Sequence, residues 1–367
     1  MKKTHLKKSE GGFSLIELLV AITIFFIVMG AVYGLLEVGR VERGRASRRS
    51  DSMKNGRAAV HLIGRDALNA GLSYTRFGAG VPDDFLSGIL GFGTDTETTR
   101  DLLTSVIPGN QINTSNLQTG RTDMVGFVFR DIDFFGGSPI YLNSATQAGA
   151  SGNFVTVNTV QDISLAGNPP TGTPAVQKTV PKVHDLYLVD AGGTRVVVMA
   201  TDIPSNKSIK FAPADPLLIN QPLNGSTPQT VSLLRQCTAS IPTSCMNYPN
   251  VTLKRIFVVT YKVKPDGTLV RTIYGNNTGA SAANQIQEQP IAYGIKDLQI
   301  RYTTSNGVSS DDPTVVQGNI NVSRRNDIRQ VTITLTAQDG LDEVTGKPNY
   351  VILDGTFSTR NLEYDAG

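Results

Sequence analysis

The residues able to do chemistry are few, and their spacing argues against catalysis. Three histidines, His5, His61 and His184, are scattered through 367 residues. None has a second histidine three or four positions away, the spacing that places two metal ligands on one helix face. His184 precedes Asp185 and a strand-like run and reads as a turn residue. The chain contains no G-x-S-x-G nucleophile motif and no phosphate-binding P-loop. Two cysteines, Cys237 and Cys245, exclude a disulfide-rich scaffold, an iron–sulfur protein and a four-cysteine zinc site. Acidic clusters occur at Asp311-Asp312 and at Asp339, Asp342 and Glu343. Calcium takes oxygen ligands from such loops, but the spacing is not that of an EF-hand, so they read as solvated turns. No metal site is assigned and no enzyme is expected; calcium is the one cofactor these residues keep in view.

The residue that demands a chemical reason is Glu17. It is the single charge in Phe13 to Leu36, a run of 24 otherwise uncharged and mainly apolar residues. A helix of that length spans about 36 Å, enough for a bilayer core of about 30 Å. Four lysines among the twelve residues before it place Met1 in the cytoplasm and the remainder outside. A carboxylate inside such a span costs roughly 2.5–3.5 kcal/mol on insertion scales, so it needs a function. A secretory signal peptide fits poorly: the run is long for a signal core, and the chain continues helix-compatible as EVGRVERGR, with no small-residue cleavage site.

The segment Gly12-Phe13-Ser14-Leu15-Ile16-Glu17-Leu18-Leu19-Val20-Ala21, behind a short basic leader, resembles the class III signal of type IV pilins and type II secretion pseudopilins. The resemblance implies that a prepilin peptidase cuts between Gly12 and Phe13, before the apolar run, and methylates the new amino group of Phe13. The helix then stays on the protein as anchor and assembly surface. Glu17, buried among packed helices in a fibre, would pair with the Phe13 amine of a neighbouring subunit. An unpaired charge there would be very costly. Loss of the leader removes four of 34 basic and one of 31 acidic residues, leaving thirty of each on the 355-residue mature chain. One feature departs from the family. The proline that major pilins of the a class carry near the twenty-second mature residue is replaced by Gly34, which softens a helix without removing a hydrogen bond.

These residues need elements to position them. Glu37 to Ala70 contains no proline, and Val60, Ile63, Ala67 and Leu68 recur at helical spacing. One helix from Phe13 to about Ala70, stopped at Gly71, is expected: anchor first, amphipathic half second. Arg40, Arg43, Arg45, Arg48 and Arg49 read as a solvated face interleaved with Glu42 and Asp51, or as a contact between subunits. Residues 73–122 read as long loops. Short β-branched runs follow at Met124–Asp131, Phe154–Asn158, Leu186–Asp190, Arg195–Thr201, Arg255–Val263, Leu269–Tyr274, Leu298–Thr304 and Val331–Ala337, with polar loops such as 141–153 and 164–178 between them. Asp266-Gly267 marks a hairpin. With the head outside the cytoplasm, Cys237 and Cys245 are expected to form a disulfide around a short loop; two free thiols or a transient metal pair is the other reading.

The fold expected is α+β: a long N-terminal helix packed on a mainly antiparallel β head with long loops. The division is leader 1–12, membrane and assembly helix 13–36, amphipathic continuation 37–70 and head 71–367. Its length, the segment AVHLIGRDALNAGLSY and the ending VTITLTAQDG…TFSTRNLEY resemble PilW-type minor pilins. That resemblance implies a low-abundance structural subunit that helps start type IV pilus assembly near the tip. A minor pseudopilin of a type II secretion system, or a tip adhesin carried by the central insertions, is the alternative. The implied partners are the prepilin peptidase, other minor pilins, the major pilin, the inner-membrane assembly platform and membrane lipid. A net charge of +3 gives no basic surplus for nucleic acid. The implied location is the bacterial inner membrane as a single-pass protein, then the pilus.

Overall fold

The strand Val251–Val263 is the hub of the head, and it serves two sheets in turn. The computed structural model describes residues 12–93, 100–148, 154–164, 179–213, 215–221, 223–224, 227–228, 230–235, 246–277, 281–313, 327–341 and 347–360. At its start the hub pairs with Ile140–Ala148 and Leu186–Asp190. From Ile256 onward it pairs with Arg121–Arg130 and Leu269–Tyr274. All four pairings are antiparallel, and among the described residues they join a 13-stranded sheet. A separate four-stranded sheet contains Ile295–Thr304, Ile328–Leu341 and Pro348–Ser358 with a short strand at Ser309–Ser310. The expected antiparallel head is therefore present, with parallel contacts among the described residues between Gly80 and Val196 and between Phe134 and Thr179. Asp266-Gly267 forms the expected turn, with Lys264 N–H bonded to Thr268 O at 2.8 Å and Val263 opposite Leu269.

One helix, α1 (Leu15–Asn69), runs unbroken for 55 residues through Gly30, Gly34 and Gly39. No proline interrupts its hydrogen-bond ladder. Ser14 is the N-cap and Glu17 completes a capping box. At the other end Ala70 N–H bonds Ala67 O at 3.1 Å, and Gly71 turns the chain away at φ +83° with its N–H on Val128 O at 2.9 Å. The stop falls where the glycine predicted it.

The second half of α1 buries Gly56, Ala59, Val60, Ile63, Gly64, Asp66 and Ala67, a stripe at spacings of three and four. It lies between the hub sheet and the four-stranded sheet, in a core shared with Phe127, Tyr261, Leu298, Ile333 and Leu335. Leu68, expected on this stripe, is 45% exposed; it lies one step round the helix from Ala67, and Asp66 takes the inward place. The approach to the four-stranded sheet is close. A side-chain carbon at Gly56 would overlap Leu353, and one at Gly64 would overlap the Phe357 ring. Gly64→Ala is therefore expected to destabilise by about 1–3 kcal/mol, although alanine is the better helix former by about 1 kcal/mol. Thermal melting by circular dichroism checks this. Phe357→Leu in the same chain should restore part of the loss, and a higher melting temperature for Gly64→Ala alone would refute the overlap.

Two other cores fill the head. One lies around Phe134, Tyr187, Phe211 and Leu253, the other around Phe85, Leu103, Ile107, Leu188 and Tyr274. Asp123 ties the two sheets together: its carboxylate accepts from Gln111 N–H at 2.8 Å and Ile300 N–H at 2.7 Å. Burial pushes this carboxyl up to about 6, against the opposing pull of the two amides.

Two expectations are corrected. Residues 73–122 are not simply loops: they supply strands Ala79–Val81, Asp101–Leu103 and Val106–Thr114 and a single helical turn at Phe85–Ile89. The first two strands have three residues each, too short for a period to show. In the third, the register shifts between Gly109 and Asn113, and Gln111 takes φ 49°. Residues 141–153 were also expected as loop, yet Ile140–Ala148 is a strand paired with Phe154–Thr159. Its polar residues hid it: among its described side chains Ile140 and Leu142 are buried in the core and Ala145 packs against it. Cys237 and Cys245, and leader residues 1–11, lie outside the described residues.

Candidate functional site: the N-terminal helix and its seat

Among the described residues, the first half of α1 meets nothing in the head. Phe13 is 87% exposed, and the large apolar side chains from Leu15 to Val38 are all exposed. Leu15–Asn69 is the one helix among the described residues long and apolar enough to cross a membrane. Such a stripe cannot stand in water. Gly12 carries no neighbouring atom within 4 Å of where a side-chain carbon would sit. The Gly12-Phe13 bond lies just before the helix, outside any helix or strand.

Glu17 is held locally. Ser14 N–H donates to Glu17 Oε2 at 3.0 Å, and Ile16 N–H donates to Ser14 Oγ at 3.4 Å. The pattern Ser14-x-x-Glu17 is a capping box readable in the sequence, and it adds a role to a glutamate read there only as an assembly group. A carboxylate at the first turn also faces the positive end of the helix dipole. Glu17 therefore enters the apolar span with one donor already in hand, and its remaining lone pairs stay open to a cation.

Residues 7–33 match the family model of the prokaryotic N-terminal methylation motif. This signal, joined to the exposed apolar helix, supports a type IV pilin-like protein anchored in the inner membrane by a single pass. It implies processing by a prepilin peptidase and delivery to pilus or pseudopilus assembly machinery in general. No curated protein and no solved structure matches the chain.

The pilin-like helix is fastened to its head by a buried ionic cluster that the sequence did not announce. Asp66, 2% exposed, accepts from Tyr261 Oη at 2.6 Å and Arg271 Nε at 2.8 Å. Arg271 Nε also reaches Tyr261 Oη at 3.1 Å, and Tyr261 Oη lies 3.3 Å from Leu62 O. Burial, reinforced by the neighbouring Asp66 charge, pushes the Tyr261 phenol far above its ordinary range, so it stays protonated and donates. Only the Asp66 register signalled the cluster: a charge at a stripe position between Ile63 and Ala67.

The remaining candidates fall in separate places. His61 is exposed on α1. His184 sits at φ 72°, with Nδ1 3.1 Å from Gln285 Nε2. Its neighbour Asp185 turns the other way, toward Arg255 at 3.4 Å and Tyr187 Oη at 3.1 Å. Burial raises the Asp185 carboxyl and Arg255 opposes it. Arg255 also pairs with Asp131 and lies 4.7 Å from the Phe134 ring centre. It stands where the hub strand passes from one set of partners to the other, so this cluster secures the crossover. Asp311 is ion-paired to Arg301 at 2.9 Å. Among the described residues, no group of three or more His, Cys, Asp or Glu is placed to hold a metal ion; Asp342 and Glu343 lie outside them. Of the arginine run, Arg45 pairs with Glu42 at 2.9 Å, and Arg45, Arg48 and Arg49 line a cleft with Asp339 and Tyr350.

Proposed function

We propose that this protein is a minor pilin of the PilW type, a non-enzymatic structural subunit that helps start type IV pilus assembly and sits near the tip, with its head outside the cytoplasm. One observation carries the reading: an exposed apolar half-helix with a prepilin signal leads directly into a helix half seated in a large β head. The free half can exchange lipid for the helices of neighbouring subunits. The head, residues 71–367, is bulky for a subunit repeated along a filament, and bulk is tolerated best at an end. Its partners in this reading are the prepilin peptidase, other minor pilins, the major pilin and the inner-membrane platform. The Cys237–Cys245 disulfide belongs to the same reading, and quantitative alkylation of both thiols without reductant would remove it. No cofactor is required; calcium, if it bound the Asp339 loop, would raise the melting temperature of the chain in a titration.

Processing gives the first test. Mass spectrometry of the mature N-terminus is expected to show methylated Phe13, and Gly12→Leu should leave the leader attached. A terminus beyond Leu36 would overturn the pilin reading. Placement gives the second. Deleting the gene should cut pilus number severely, with the protein recovered in sheared pili at a small fraction of the major subunit. Co-purification with secretion components in place of pilins would assign the pseudopilus. Piliation unchanged but surface binding lost would assign the adhesin.

A further inference from the structure

The far end of α1 opens onto a cleft of about 550 Å³ floored by residues 71–75. Four cationic side chains line it, each from a different part of the fold: Arg130 and Lys254 from paired regions of the hub sheet, Arg195 from the neighbouring strand Arg195–Met199, and Arg360 just past the last strand. Among the described residues, Asp190 is the one carboxylate in the lining. It is shared, with Arg195 Nε at 3.1 Å and Lys254 Nζ at 3.6 Å, and it also accepts from Gly192 N–H at 2.9 Å. Arg130 Nη2 donates to Gly137 O at 2.6 Å, and burial lowers its guanidinium below the usual arginine range. Among the described residues the lining thus carries an excess of three positive charges around a space large enough for a small ligand. Like charges converging on a partly buried cleft are unfavourable unless an anion completes them. Arginine forks match oxyanions in geometry as well as in charge.

We propose that this cleft binds a small soluble oxyanion of the phosphate type, as the free ion or as the phosphoryl group of a small molecule. Headgroups of the membrane that α1 spans are out of reach, because the 34 residues from Leu36 to Asn69 extend about 50 Å along the helix. The site lies at the end of the helix remote from the membrane and is separate from the assembly surface at its beginning. It would survive intact if the pilus assignment failed.

The test uses the full chain in nonionic detergent micelles with chloride as the only other anion. Inorganic phosphate is titrated by calorimetry, and glucose 6-phosphate serves as the ester probe. Saturable one-to-one binding is expected. Arg360→Gln and Lys254→Gln should each weaken it about five- to tenfold, and Asp190→Asn, which removes the competing carboxylate, should tighten it. Melting curves identify folded variants, and Arg360, exposed at the rim, is the position least coupled to folding. Preference for the ester over phosphate would assign a phosphorylated small molecule, and equal affinity the free anion. Absence of saturable binding to the wild type, or equal binding by the folded Arg360→Gln and Lys254→Gln chains, would overturn the site.

Discussion

Glu17→Gln is expected to leave the protein in the membrane, correctly processed, and to cut its recovery in pili at least about tenfold. Glutamine at the third helical position still accepts from Ser14 N–H, so the cap seen at 3.0 Å is kept. Only the charge is lost. Insertion should be as good as wild type or better, since the change removes a carboxylate that costs roughly 2.5–3.5 kcal/mol in an apolar span. Leader removal should persist, because the Gly12-Phe13 bond is untouched. What should fail, on the assembly role proposed for Glu17, is its pairing with a neighbour's amine among packed helices, where an uncompensated charge costs about 3–5 kcal/mol. Membrane and sheared-pilus fractions are probed separately. Glu17→Ala removes the cap as well, and its difference from Glu17→Gln measures the cap alone. Normal pilus recovery of Glu17→Gln would mean that the glutamate serves only its own helix. Loss from the membrane fraction would mean that it serves insertion. The size of the defect also reports position, because a subunit at the very tip has no neighbour above it.

The parts of the molecule that were legible in the sequence share a physical cause. The long helix with its stop at Gly71 and strands such as Leu186–Asp190 and Leu269–Tyr274 each follow from a local pattern, and the structure contains them. The N-terminal methylation motif matched over residues 7–33 was legible because a processing signal must be contiguous to be read by an enzyme. What was hidden depends on distance in sequence. Ile140–Ala148 is a strand through its partners, not its composition. The need for glycine at Gly56 and Gly64 comes from Leu353 and Phe357, which only the fold brings beside them. The anion cleft gathers Arg130, Arg195, Lys254 and Arg360, which no spacing connects. Asp66 was hidden in the same way: Leu68 was expected on the stripe in its stead, and its buried partners Tyr261 and Arg271 lie some two hundred residues on.

That separation makes Asp66 the point where head and anchor can be uncoupled. Asp66→Ala is expected to destabilise the head by about 3–5 kcal/mol, because it leaves the Arg271 guanidinium buried without its carboxylate. The Tyr261 hydroxyl would lose its acceptor in the same step. Tyr261→Phe should cost less, about 1–2 kcal/mol, since the Asp66–Arg271 pair survives it. The double change Asp66→Ala with Arg271→Met should recover part of the loss, because an apolar pair carries no stranded charge. Urea unfolding of the full chain in detergent, followed by circular dichroism, gives these values. A loss below about 1 kcal/mol for Asp66→Ala would mean that water reaches the cluster and screens it. Membrane insertion and the mature Phe13 terminus should be unchanged in every variant, since the exposed half of α1 touches none of these residues. Pilus recovery should nevertheless fall, because a helix loosened from its seat at Val60, Ile63 and Ala67 can pack with its neighbours without carrying an ordered head into place. A defect of this kind, with Glu17 intact, would separate the two tasks of α1: its first half joins subunits, and its second half holds what is being joined.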